Sequence, residues 1–104
     1  MFNNQNSVQL QLPAPELKAT MTGVQVTIGT LIASPDKIIF DNQGTVSIAI
    51  TMSSLGTSLV WKTFPAGEAL VLDDDLAAFP IGTVFYGTGA SGDFSIAYTY
   101  TKGY

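Results

Sequence analysis

The chain has 104 residues, of which 46% are hydrophobic and only 12% charged, with four lysines against eight acids and a net charge of −4. It contains no His, no Cys and no Arg, which excludes a disulfide framework, a thiolate zinc site and histidine-assisted nucleophilic catalysis. The acidic balance offers no basic patch for nucleic acid or for an anionic membrane surface.

The length fits one domain, which should bury roughly 60–70% of its unfolded surface in a single core. Average soluble domains carry roughly 25% charged residues. The surface here is therefore built from Ser, Thr, Asn, Gln and Gly, or is covered by other protein, a composition that suits assembled subunits.

Residues 1–7 (MFNNQNS) are polar and amide-rich, without the basic and apolar regions of a secretory signal, and no apolar run is long enough to span a bilayer. Val8-Gln9-Leu10-Gln11-Leu12 then alternates cleanly until Pro13-Ala14-Pro15. Alternation at period two marks a strand, and the prolines place it at a sheet edge. Residues 1–15 thus read as an N-terminal arm with a short edge strand, free to pair with its own sheet or a neighbour's, and 16–104 as the β domain.

Within residues 22–33, Val24, Val26 and Ile28 share one face, and Gly29 predicts a bulge or bend. Ser34-Pro35-Asp36-Lys37 is a turn, and Ile38-Ile39-Phe40 reads as a short, fully buried strand. Asp41-Asn42-Gln43-Gly44 turns into residues 45–52, where Val46, Ile48, Ile50 and Met52 alternate; this pair reads as a hairpin. Residues 53–58 are a loop, 59–64 a strand, Pro65-Ala66-Gly67-Glu68 a turn, and 69–72 a strand. Asp73-Asp74-Asp75 leads into Leu76–Phe79, read as one helical turn stopped by Pro80. Residues 83–86 form a strand, 87–92 (GTGASG) a loop, and 93–101 the terminal strand, with Phe94, Ile96, Tyr98 and Tyr100 on one face. About eight strands with turn signals every ~8–12 residues predict an all-β, single-domain antiparallel β-sandwich or jelly roll.

Chemistry-bearing motifs are few. Asp73–Asp75, with Glu68 and Asp93, is the one acid cluster, but adjacent carboxylates lack the alternating spacing of a calcium loop and no signal sets a catalytic carboxylate separation. The glycine-rich 87–92 loop lies between strands without the following helix that a phosphate cradle needs. Lys62, the one lysine read inside a strand, snorkels from an exposed face. No catalytic residue, cofactor or metal is assigned. Among Trp61, Tyr86, Tyr98, Tyr100 and Tyr104, alternation puts Tyr98 and Tyr100 on the core face with hydroxyls at its rim. Trp61, out of phase with Val60, is the best single anchor for a partner if it lies on the surface.

The strands TVSIAIT (45–51), FPAGEALVLD (64–73) and GDFSIAYTY (92–100) carry a resemblance. Residues 45–100 resemble small accessory virion proteins of tailed bacteriophages, the kind that decorate or cement capsids or join fibre and tail parts. The resemblance implies a non-enzymatic structural role in the virion: a homo-oligomeric subunit that contacts its own copies and larger virion proteins through sheet edges and the N-terminal arm. Val8, Leu10, Leu12 and Trp61 are the partner-binding candidates. The alternative is a carbohydrate-binding module with an aromatic platform and a calcium site at Asp73–Asp75.

Overall fold

The structure, a computed structural model, describes residues 9–53, 56, 59–74 and 76–103. It is all-β, with two antiparallel sheets face to face. The strands are β1 (Gln9–Pro13), β2 (Leu17–Thr20), β3 (Val26–Thr30), β4 (Lys37–Asn42), β5 (Ile48–Met52), β6 (Val60–Phe64), β7 (Ala69–Leu72), β8 (Val84–Thr88) and β9 (Asp93–Gly103). One sheet, A, has the order β1-β9-β4-β7 with β2 also on β9; the other, B, has the order β3-β8-β5-β6.

β1 and β2 lie end to end along the same edge of β9, covering Thr99–Gly103 and Asp93–Ile96 respectively. The break between them falls at Pro13-Ala14-Pro15, where the Ala14 N–H still donates to the Tyr98 carbonyl at 2.9 Å. Proline interrupts the ladder without ending the edge. Counted as one interrupted strand, they give eight strands that alternate between the two sheets except at the β5–β6 hairpin, which decides for the jelly roll.

Two expectations change. The turn after β4 does not close a hairpin, because β4 belongs to sheet A and β5 to sheet B. Alternation shows which face of each strand is buried but not which strand it pairs with. Nor is the 38–40 strand buried throughout: Ile38 and Phe40 are fully buried, whereas Ile39 is half-buried on the outer face of sheet A. β2, with only Leu17 and Ala19 apolar, escapes the sequence reading. The bulge near Gly29 is present as a register shift between Thr27 and Gly29. Leu17 of the facing sheet occupies the space a Cβ at Gly29 would need, with its Cδ2 at 2.7 Å from that position.

The core is aromatic. Phe40 sits at its centre, with ring centroids of Trp61, Phe85, Phe64 and Phe79 at 5.1, 5.6, 5.9 and 5.9 Å. Phe94 packs edge-on against Phe64 at 5.0 Å. Each such side chain stabilises the fold by about 1.5–3 kcal/mol through burial alone. Phe79 joins the cluster from the 3-10 turn at Leu76–Ala78, in the place the sequence assigned to a helical turn. No helix of the described residues is long and apolar enough to cross a membrane.

Among the described residues one polar side chain is fully buried. Asn42, on the inner face of β4, shares its two Nδ2 hydrogens among the carbonyls of Val46 (2.9 Å), Phe64 (3.0 Å) and Pro65 (3.0 Å). Its Oδ1 accepts the Gly44 N–H at 2.9 Å. Asn42 thereby ties the β4–β5 and β6–β7 turns together, giving hydrogen bonds to carbonyls that would otherwise be buried without them.

Candidate interaction surface

β9 outruns the rest of sheet A. Its pairing with β4 ends at Lys37↔Thr99, and beyond that Tyr100–Gly103 pairs only with β1. The result is a two-stranded ribbon projecting past the sandwich. Leu12 opposes Tyr100 and Leu10 opposes Lys102, so both leucines share the inward face that Tyr98 begins. Leu12 and Tyr100 are half-buried; Leu10 is 44% exposed. Val8 lies outside the described residues.

The register also fixes which backbone groups of β1 face outward. Hydrogen-bonded and non-hydrogen-bonded pairs alternate in an antiparallel ladder. The Ala14 N–H bond to Tyr98 therefore makes Leu12↔Tyr100 and Leu10↔Lys102 the bonded pairs. The N–H and C=O groups of Gln9 and Gln11 point away from β9, and among the described residues no strand lies beyond them.

Apolar loops surround this ribbon end. Of the seven exposed large hydrophobic residues described, Leu10, Ile32, Leu59, Val60 and Ile81 lie here, with only Val24 and Val71 elsewhere. Ile32 follows β3, and its N–H donates to the Tyr98 hydroxyl at 2.8 Å. The Gly82 N–H donates to the Leu31 carbonyl at 2.9 Å, setting Ile81 beside that loop. The Val84 N–H donates to Ser53 Oγ at 3.0 Å and brings the β5–β6 loop, with Leu59 on its return, to the same end. Ile32 and Ile81 went unnoticed in the sequence. Ile32 is in phase with Val24, Val26 and Ile28 and reads as a continuation of the 22–33 stretch, so only Ile81, set in a turn beside Pro80, offered a signal.

Trp61 is not brought to this surface. A register shift in the β5–β6 pairing leaves Trp61 as an extra residue between Val60 and Lys62. The bulge turns its ring inward, onto Phe40 and Phe79. The surface anchor considered from the sequence is thus a half-buried member of the core, on the sheet edge away from β1. Lys62 shares the correction. Its Nζ lies 4.9 Å from the Phe64 ring centroid and 3.4 Å from Glu68 Oε1, and three other lysines (Lys18, Lys37 and Lys102) also stand in strands.

The acids do not gather. Glu68 pairs with Lys62, Asp93 lies 3.9 Å from Lys18 Nζ and accepts the Thr20 hydroxyl at 2.5 Å, and Asp73 and Asp74 are exposed. Asp75 lies outside the described residues, among which no group of three or more His, Cys, Asp or Glu could hold a metal. Tyr98 and Trp61 are turned into the core, leaving Tyr86 on the outer face of sheet B and Tyr100 on the ribbon of sheet A. These four make no common stacking platform. Tyr104 is outside the described residues.

The outer face of sheet A carries a hollow of about 210 Å³ lined by Pro13, Ala14, Lys37, Ile39, Ala97, Tyr98 and Thr99. Thr99 Oγ1 is buried there without a hydrogen-bond partner.

The fold and this surface define an all-β jelly roll with an open sheet edge and an apolar end. No protein-family model and no curated protein matches the chain. Among solved structures it is similar to one described as "Bacillus endospore appendages form a novel family of disulfide-linked pili", at 19% identity and a TM-score of 0.49, over 97% of this chain and 95% of that one. It is also similar to one described as "Crystal structure of PirA", at 15% identity and a TM-score of 0.46, over 82% of this chain and 93% of that one. Neither description names a bacteriophage protein.

Proposed function

We propose that this protein is a non-enzymatic structural subunit that assembles with copies of itself, and onto larger proteins of the same particle, through the β1 edge and the apolar end beside it. The observation that carries the reading is the ribbon. An uncharged, unbulged edge strand (QLQL) presents free ladder groups at Gln9 and Gln11 where exposed apolar side chains also converge. Isolated domains blunt such edges with charge, proline or bulges. β3 and β6, the edges of sheet B, are both bulged, and β2 carries Lys18, whereas β1 before Pro13 and β7 (ALVL), the other edge of sheet A, have no such guard; of these two, β1 is the one that reaches into the apolar end.

In this reading residues 1–15 are the assembly arm and 16–104 the supporting sandwich. Leu10 and Leu12, with Val8, present the arm's apolar face to a neighbour while its backbone extends the neighbour's sheet. Burial releases about 1.5–3 kcal/mol per large side chain before ordering costs are subtracted. The finer reading, a capsid-decorating, cementing or fibre- or tail-associated subunit of a virion, is supported by the resemblance of residues 45–100.

Gln11→Pro tests the edge directly. The Gln11 N–H faces away from β9, so proline there leaves the β1–β9 ladder intact and blocks only strand addition. Light scattering across a concentration series should show an oligomer for the parent and a folded monomer for Q11P. An oligomer of unchanged mass in Q11P removes the β1 edge from the assembly.

A further inference from the structure

Resting on the assembly reading above, we propose that the strand receiving β1 is β7 of a second copy, so that sheet A of one subunit continues into sheet A of the next. β1 and β7 are the two outermost strands in that sheet's order, and among the described residues no strand lies beyond either. Like β1 before Pro13, β7 (ALVL) carries no charge, proline or bulge.

The free backbone groups of the two edges match. The Asn42 N–H donates to the Glu68 carbonyl at 2.9 Å, one step past the Asp41↔Ala69 pair. By alternation, Phe40↔Leu70 and Ile38↔Leu72 are then the bonded pairs of β4 and β7. Ala69 and Val71 therefore turn their N–H and C=O groups away from β4, as Gln9 and Gln11 do from β9. All four side chains lie on the outer face of sheet A, where Val71 opposes Ile39 and Gln11 opposes Thr101. Residues opposite one another in a ladder share a face, and these do so when the neighbour keeps its sheet the same way out. Direction agrees too. The pairings β1–β9, β9–β4 and β4–β7 are all antiparallel, so β1 and β7 run in opposite senses. A neighbour in the same orientation lays its β1 antiparallel on β7.

The register that fits is Gln9↔Val71 with Gln11↔Ala69, each pair exchanging two hydrogen bonds. Between them Leu10, 44% exposed in the single subunit, closes on Leu70 on the inner face. Pro13, with no N–H to give, falls opposite Gly67 in the turn before β7, past the end of the ladder. Within one sheet Pro13 pairs with Thr99, Thr99 with Lys37, and Ile38 with Leu72, so β1 begins well above β7. The register therefore displaces the neighbour along the strands by about 20 Å. The projecting ribbon permits the step, because it reaches β7 while the two sandwiches stand past one another.

Charge selects this contact over a pairing of like edges. The ribbon (9–13 with 99–103) carries Lys102 and no acid, whereas β7 is preceded by Glu68 and followed by Asp73 and Asp74. Joining β7 to β7, or ribbon to ribbon, sets like charges along one seam; β1 on β7 sets opposite ones. The two edges are different patches of one chain, so the contact is heterologous and closes into a ring or extends into a filament.

The chain has no cysteine, so single introduced cysteines report the contact. Full-length Gln11→Cys protein is mixed with Ala69→Cys protein and oxidised. Cα atoms of a bonded pair stand about 5.5 Å apart, inside the range of roughly 4.4–6.8 Å that a disulfide spans. Peptide mass spectrometry should find position 11 joined to position 69 in the mixture, and neither variant should crosslink alone. Disulfides between two Q11C copies or two A69C copies, or none in a mixture that assembles, overturn the pairing. Val71→Pro leaves the β4–β7 ladder intact, because the Val71 N–H faces away from β4, and should reduce the assembled mass to the monomer's, as Q11P does. A folded V71P that assembles like the parent while Q11P is monomeric refutes β7 as the receiving strand and leaves the β1 edge reading standing. If V71P does not fold, the cysteine mixture decides. A parent protein that stays monomeric at every concentration overturns both.

Discussion

The two ends of the sandwich differ in what they do with their loops. At one end, the turns after β2, β4, β6 and β8 are laced together. Asn42 bonds three carbonyls, the Met21 N–H donates to Gly92, the Gly23 N–H to Gly89, and the Gln43 N–H to Asp93. Gly44 and Gly92 meet so closely that a Cβ on Gly92 would lie 2.9 Å from the Gly44 Cα. Val24 is the one exposed large hydrophobic residue described at that end. The ribbon end has hydrogen-bonded loops too, yet it leaves five large apolar side chains in solvent. One end satisfies itself within the chain; the other leaves the apolar surface that the proposed assembly would cover. The difference separates stability from assembly, and substitutions at the two ends should divide in that way.

The largest effect on stability is expected from Asn42→Leu. It keeps the branched shape but adds bulk at a fully buried site and leaves the carbonyls of Val46, Phe64 and Pro65 without their donor, at about 3 kcal/mol or more. Urea unfolding followed by the fluorescence of Trp61, the single tryptophan, reads this directly. A loss below about 1 kcal/mol would show that water replaces the amide and that the laced end is not closed. Next comes Gly92→Ala. Gly92 has φ of +95° and no room for a Cβ, so about 2 kcal/mol is expected. Neither change should alter the concentration dependence of assembly once the protein is folded, and a shift there would mean that the laced end also touches a partner.

At the ribbon end the stability effects shrink. Tyr98→Phe removes the hydroxyl that accepts the Ile32 N–H and should cost about 1 kcal/mol. It should also loosen the Ile32 loop, visible as faster amide exchange at Ile32 and not at Gly44. Ile81→Asp, at a side chain 62% exposed, should move stability by less than about 0.5 kcal/mol while lowering the mass seen by light scattering. If I81D assembles like the parent, the apolar end is not buried in the assembly and the contrast between the ends loses its functional half.

Much of this was legible in the residues themselves. Phe94, Ile96 and Tyr98 are buried as their alternation requires, the Gly29 irregularity is real, and Pro80 ends the turn at Leu76–Ala78. Such features depend on neighbours one or two positions away, and a period of two places them whatever the rest of the chain does. Composition by itself likewise excludes histidine and cysteine chemistry.

What the tertiary structure alone decided is which strands meet. The β4–β5 turn reads as a hairpin because a turn between two alternating runs is compatible with pairing in one sheet or crossing to the other. The choice rests on the pairing of β4 with β7 and β9 and of β5 with β8, all distant in sequence. The same holds at Trp61, whose inward turn comes from a bulge set by β5. It holds for the apolar end, where Leu10, Ile32, Leu59 and Ile81 converge from four segments that no local pattern connects. Side-chain periodicity is a property of one strand. A surface belongs to the whole sheet order, and only the folded chain fixes that.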